Sequence, residues 1–421
     1  MTQESLTEKL ASHLMRPVDR ATRQRARLHL LDWLGCVAGG RQSEVAKLST
    51  GKNRGDGFPA TATWLGNILE MDDIHRTSIL HPGPVIWPSV LGQAGNFDDI
   101  LDRAVRGYEA MIAIGSTFDA HHYGFYHNTA TAGFFGSTAG HWKYDEAGLR
   151  DEKGGSAKLA AAFGLAGSVA GGLWQMRHEG GHSKQWHIAH AVSTGRSASR
   201  FAADGIAGPR LIREGPQGLY AGTWKKPRPM VFPDQWRIHE VSFKPWGACR
   251  HAHPAIDAAL ELKARLGSLD GDILIETYAD AISFCDRPNP QSVIDAKFSI
   301  QHAIAIVAEQ GEPRLGDFEP GRIADFADTR SRVTVSEASG ITARYPQHYG
   351  ARISCAGDRI ELVDTLGDPE RPLSEEGIVG KARALIAWGG LPDEEAERAV
   401  DLALNGNDMR EIDIMLTDWL S

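Results

Sequence analysis

The spacing of apolar residues along this chain changes twice, and those changes limit the folds it can adopt. Over about the first 230 residues the apolar positions recur at helical intervals. Arg20 to Val37 places Leu28, Leu31, Leu34 and Val37 three apart, one stripe on a helix, with Pro17 before it and Gly39-Gly40 after it as start and stop signals. Val85 to Ala94, Ile100 to Ile114, Thr131 to Trp142 and Ala189 to Ala203 are further expected helices, rich in the Ala, Gly and Ser of close packing. Leu159 to Met176 is the most apolar stretch; its glycines suit a buried helix better than a membrane span. After Pro227 the period shortens. Ile238 to Phe243, Asp272 to Tyr278, Ser331 to Ser336, Ala351 to Cys355 and Arg359 to Val363 read as strands, with a hairpin turn at Ala356-Gly357-Asp358. Helices are expected between them at Pro254 to Leu266 and Ala296 to Glu309, and the helical period returns over Leu373 to Trp388 and Glu394 to Leu404. The expected fold class is mainly α with an α+β insertion.

A chain of 421 residues exceeds one ordinary core, so two domains are expected. They are 1–250 with 375–421 as a helical domain, and 251–374 as a smaller α+β domain. The net charge of −9 argues against nucleic acid as a partner, although a small site can still be locally basic. Cys36, Cys249, Cys285 and Cys355 form no close pair, which leaves no iron–sulfur, zinc-ribbon or disulfide pattern and fits reduced thiols in the cytoplasm. The N-terminal residues lack the pattern of a signal peptide, and no membrane partner is expected.

Five clusters carry the residues of chemistry. Glu70-Met71-Asp72-Asp73-Ile74-His75 leads into His81-Pro82-Gly83. Crowded carboxylates raise one another's pKa, and beside histidines they suit proton transfer. The same stretch also reads as a helix end with exposed acids, or as a divalent metal site of no specific spacing. His121-His122-Tyr123-Gly124-Phe125-Tyr126-His127 is a pocket lining or a loop of half-buried histidines. In His182-Ser183-Lys184-Gln185-Trp186-His187, Lys184 is a carboxylate-binding lysine or a solvated helix start. Phe243-Lys244-Pro245 through His253-Pro254 joins cations and histidines to a helix N-terminus, a setting for an anion, with Cys249 a nucleophile or a buried spectator. Ser299-Ile300-Gln301-His302 opens a helix.

With these clusters in this order, the sequence resembles the MmgE/PrpD family, which includes 2-methylcitrate dehydratase, cis-aconitate decarboxylase and iminodisuccinate epimerase. Further matching segments are Leu31 to Cys36, Gly164 to Leu173, Ile256-Asp257-Ala258, Gly367-Asp368-Pro369 and Pro372-Leu373-Ser374. The resemblance implies an all-helical body built from both chain ends, a smaller α+β lid, a homodimer, a small polycarboxylate substrate, and no metal or organic cofactor. It implies catalytic positions at Asp73, His81, His127, Lys184 and Lys244. Expected substrate-binding positions are Glu70, Thr77, His187, His253 and His302. The lysines are expected to hold substrate carboxylates, His81 or Asp73 to move the α-proton, and His127 to act from the other side.

The chain departs from the family's pattern at four places: Glu70 for its first aspartate, Ile74 for a frequent Thr, one extra residue before His81, and His302 where Tyr is common. These leave dehydration, epimerisation and decarboxylation open, with His302 leaning toward a two-base isomerase. A metal-dependent hydrolase and a non-catalytic carboxylate-binding protein are the competing classes.

Overall fold

The computed structural model describes residues 4–49, 57–93, 95–144, 154–179 and 181–421. The chain divides into two compact units. Met1–Val241 with Glu375–Ser421 forms the first, and Ser242–Ser374 the second. The boundary expected at 250 falls inside the second unit drawn this way, so Lys244 belongs to the second unit.

The first unit is a helical body. Asp19 caps the helix Arg20–Gly40 by accepting the Thr22 N–H at 2.9 Å, and Asn96 caps Phe97–Gly115 through the Asp99 N–H, also at 2.9 Å. Phe97–Gly115 packs on Asn128–His141, which in turn packs on Ser183–Ala203. The small residues seen in the sequence let these backbones approach: a Cβ on Gly195 would lie 2.5 Å from Ser137 Cβ. The two chain ends meet where Arg20–Gly40 packs on Glu375–Trp388, and Gly35 lies against Ala382 there. Inside that contact Lys381 Nζ lies 2.5 Å from Asp32 Oδ1 and 2.5 Å from the Met71 carbonyl, all but removed from water.

The second unit is built on a four-stranded sheet. Its strands are β1 (Ile273–Thr277), β2 (Val333–Glu337), β3 (Ala351–Cys355) and β4 (Asp358–Leu362), in the order β2-β1-β3-β4. β1 runs parallel to β2, with Ile273 opposite Val333, and antiparallel to β3, with Ile273 opposite Cys355. β3 and β4 form the expected hairpin through Ala356-Gly357, both with positive φ (51° and 83°), as a two-residue turn of matching twist requires. Ile273, Ile275, Ile353 and Cys355 are buried beneath the helices His253–Leu266 and Ile300–Gln310. The mainly α architecture with a small α+β region is therefore present.

Three elements differ from expectation. Ile238 to Phe243 is not a strand: a 3-10 turn spans Arg237–Glu240. The buried carboxylate of Glu109 takes the Arg237 N–H at 2.8 Å and closes the chain into that turn. The apolar stretch from Leu159 is helical only as Gly155–Gly167, because the chain turns at Ser168 and a short 3-10 helix follows at Trp174–Arg177. The helix from Ala296 breaks at Phe298, and the Ser299 side chain caps a new helix, Ile300–Gln310, by accepting the His302 N–H at 3.0 Å. Leu6–His13 and Met409–Leu420 are helices that periodicity did not single out. No helix among the described residues is long and apolar enough to cross a membrane.

Candidate active site

The acidic block lies in a folded loop rather than at an exposed helix end. His75 and Leu80 pair across it, with N···O distances of 2.9 and 3.3 Å. Two non-glycine residues in the left-handed region bracket it, Glu70 (φ 58°) and Ile79 (φ 51°). Such conformations cost on the order of 1–3 kcal/mol each and gather at functional sites. Asp72, Asp73 and Ile74 are all buried in this loop, whereas Thr77 is half-buried.

Each carboxylate of the block has a different setting. Asp73 Oδ2 accepts from the Tyr108 hydroxyl at 2.6 Å and lies 2.8 Å from His29 Nδ1. Its Oδ1 accepts the Gly83 N–H at 2.7 Å, at the N-terminus of the helix Gly83–Val90. A Cβ on residue 83 would lie 2.8 Å from that oxygen, which is why glycine follows His81-Pro82. Burial pushes the Asp73 carboxyl up to about 6, against the Tyr108 and Gly83 hydrogen bonds. Burial, with Arg25 beside it, holds the His29 imidazole well below its usual value, so the neutral ring donates to Asp73. Asp32, one helix away, is likewise raised to about 6 by burial, offset by Lys381 and reinforced by Asp73 and Asp72.

Asp72 turns the other way. Its Oδ2 lies 2.8 Å from His81 Nδ1 and accepts from Asn67 Nδ2 at 2.7 Å. Asp72 is 1% exposed and the His81 side chain 13%, so the imidazole is the more open member. The His81 N–H donates to Thr129 Oγ1 at 3.0 Å, and Thr129 lies two residues beyond His127. Glu70 forms an ion pair with Lys184, which opens the helix Ser183–Ala203. His187, one turn along that helix, has its ring centroid 5.6 Å from that of His127, and Trp174 stands 4.5 Å from His127 on centroids. Burial lowers the pKa of His187. Asp72, Asp73, His81, His127, Glu70, Lys184 and His187 thus share one region of the first unit, joined by these contacts.

The three remaining expected residues lie in the second unit. Lys244 is fully buried. Its segment is clamped: Phe243 N–H donates to the Gly367 carbonyl at 3.0 Å, and Ser242 Oγ donates to Asp368 Oδ1 at 2.6 Å. The Gly367-Asp368 motif therefore braces the lysine segment. His253 and His302 sit in interior positions that oppose their reading as substrate contacts. His253 Nδ1 is 3.2 Å from Arg250 and its Nε2 3.1 Å from the Ala248 carbonyl. His302 Nε2 is 3.0 Å from the Asp317 carbonyl and its Nδ1 3.3 Å from the Arg330 guanidinium, between Phe318 and Phe326. Burial pulls His302 down to about 4.

The expected site residues omit Asn67, His29, Tyr108 and the Asp32–Lys381 pair, and Asp72 is read only as a member of the acidic block. Asp32 and Lys381 carry a legible signal, since each interrupts an apolar helix face. Tyr108 and His29, the side-chain partners of Asp73, carry none, because they come from separate elements. Among the described residues, His348, Asp364 and Glu370 bring potential metal ligands within 4.8 Å of one another. That trio lies in the second unit and includes no residue of the acidic block; His348 Nδ1 is already 2.8 Å from Asp364 Oδ1.

Residues 4–230 match the MmgE/PrpD N-terminal domain and residues 246–406 the MmgE/PrpD C-terminal domain. The chain belongs to the MmgE/PrpD family. No curated protein matches it. The MmgE/PrpD C-terminal match runs past Ser374 into the helices that return to the first unit, so the family's division by sequence differs from the division into compact units. Membership places the chain with dehydratase-, lyase- and isomerase-type enzymes of organic acids.

Proposed function

We propose that this MmgE/PrpD protein abstracts a proton next to a carboxylate of a small di- or tricarboxylic acid, as a dehydratase-type lyase. The observation that carries the reading is the Glu70–Lys184 pair beside the Asp72–His81 pair: a lysine already matched to one carboxylate, near an open histidine backed by another. Lys184 exchanges Glu70 for a substrate carboxylate and withdraws charge from the adjacent carbon. His81 takes the α-proton. The electron pair left on carbon forms the double bond as the β-hydroxyl departs, and His127 protonates that hydroxyl so that it leaves as water. Asp73, with both oxygens engaged inside the fold, holds the loop rather than touching substrate. The buried Lys244 is proposed as the second carboxylate-holding lysine, on the family resemblance.

Dehydration is preferred to epimerisation because His302, the residue that leaned toward a two-base isomerase, has both nitrogens occupied in the second unit. Four free, buried cysteines support a reducing, cytoplasmic setting. Exposed Phe125, Leu173 and Trp186 support a homodimer. The test is solvent deuterium exchange, read by NMR, over citrate, 2-methylcitrate, cis-aconitate and iminodisuccinate with chelator present. Exchange into one of them, lost in Lys184→Ala, supports the reading. No exchange into any, or activity that chelator abolishes, overturns it.

A further inference from the structure

We propose that Lys381 is a positioning residue for the acidic loop: by holding the Met71 carbonyl it fixes the turn that presents Glu70 to Lys184. This rests on the preceding reading of Lys184 as the lysine that takes a substrate carboxylate. Glu70 stands at φ 58°, a left-handed conformation that a non-glycine residue keeps only where its surroundings over-determine it. On one side, the Glu70 N–H donates to the Asn67 carbonyl at 3.3 Å. On the other, the carbonyl of the next residue, Met71, accepts from Lys381 Nζ at 2.5 Å. Glu70 and Met71 are both buried, and the Lys381 side chain is 4% exposed. Away from water, a hydrogen bond from an ammonium is a strong restraint.

The lysine is itself aimed from a distance. It belongs to the helix Glu375–Trp388, and Asp32 on the helix Arg20–Gly40 holds the same nitrogen at 2.5 Å. An ammonium has separate protons for the carboxylate and the carbonyl, so one side chain ties both helices to the loop. Glu70 carries that placement to Lys184, its ion-pair partner at the start of the helix Ser183–Ala203. His81, at the far end of the loop, is fixed separately: its N–H donates to Thr129, and the helix Gly83–Val90 follows it. Loss of the Lys381 contact therefore weakens the hold on substrate more than the chemical step. A role limited to balancing the charge of Asp32 predicts otherwise, because removing both charges together would then leave the loop and the substrate site intact.

The experiment uses the full chain and two readouts: kinetics with whichever acid of the panel above exchanges fastest, and hydrogen exchange of the peptide 66–80 followed by mass spectrometry. Lys381→Met by itself risks unfolding, so the variant is Asp32→Asn/Lys381→Met. Its KM is expected to rise by about tenfold or more, with kcat changed less than about threefold. The amides of Glu70, His75 and Leu80, each bonded within the loop, are expected to exchange at least about tenfold faster. Asp32→Asn alone keeps the Met71 contact and should match the wild type in both readouts. The inference is overturned if either readout is unchanged in the double variant, or if Asp32→Asn behaves as the double variant does. A wild type inert toward every acid, or a fully active Lys184→Ala, overturns instead the reading of Lys184, and the amide exchange then decides whether Lys381 holds the loop.

Discussion

Lys381→Met is the perturbation whose consequence follows most directly from the structure. Methionine keeps much of the side chain's reach and apolar volume but removes the ammonium. Asp32 then faces Asp72 and Asp73 without the cation 2.5 Å away, at a position where its own side chain is 2% exposed. Removing one partner of a buried ion pair costs about 3–5 kcal/mol. The Met71 carbonyl, which accepts from the same ammonium, contributes to that loss. Asp32 can escape part of the penalty by taking up a proton. Its carboxyl is already raised from 3.8 to about 6 with Lys381 in place. An acid raised in the folded state binds more protons folded than unfolded, so stability falls as pH rises. The variant therefore adds a proton-linked loss only above about pH 6, at about 1.4 kcal/mol per further unit. Urea unfolding followed by circular dichroism at pH 6, 7 and 8 should show a deficit that grows with pH, by up to about 3 kcal/mol across the range. Asp32→Asn/Lys381→Met, which removes both charges, should recover at least half of the deficit at pH 8. The reasoning fails if the single variant loses less than about 1 kcal/mol at pH 7, if the deficit is the same at pH 6 and pH 8, or if the double variant is no better.

Three further outcomes are expected. Lys184→Ala should reduce deuterium exchange by at least about 10³ and Glu70→Gln much less, because the lysine keeps its charge; equal losses in the two would contradict the exchange of Glu70 for substrate. His302 has its folded pKa pulled down from 6.5 to about 4, so its contribution to stability is present above about pH 6.5 and lost as pH falls toward 4. The stability gap between wild type and His302→Gln, measured by urea unfolding, should narrow by about 3 kcal/mol between pH 7 and pH 4, and a gap independent of pH would refute the burial argument. Gly195→Ala places a Cβ 2.5 Å from Ser137 Cβ and 2.8 Å from the Thr138 nitrogen; it should destabilise by about 1–3 kcal/mol in a thermal melt, and a neutral result would mean the helices separate freely.

Much of the fold was legible because local period reflects local burial. The stripe from Leu28 to Val37, the alternation around Ile273 and the Ala356-Gly357 turn each became the expected element. Where a distant group intervened, local pattern failed. Ile238 to Phe243 looks extended until the buried Glu109 carboxylate captures Arg237. His302 looked available until Asp317 and Arg330 occupied its ring.

The candidate site divides in the same way. The sequence alone determined which residue types stand together, Glu70 to Gly83 and His182 to His187, and their order was enough to indicate the family. It did not determine what each carboxylate of the block does. Asp72 and Asp73 are neighbours in the chain with similar local surroundings in sequence. The tertiary structure turns one toward His81 and Asn67 and closes the other against Tyr108, His29 and the Gly83 N–H. The reason is physical: a carboxylate's basicity and reach are set by what lies within about 3 Å of its oxygens. For Asp73 two of those partners, Tyr108 and His29, come from helices distant in the chain, whereas Asp72 meets Asn67 and His81 only because the loop folds back on itself.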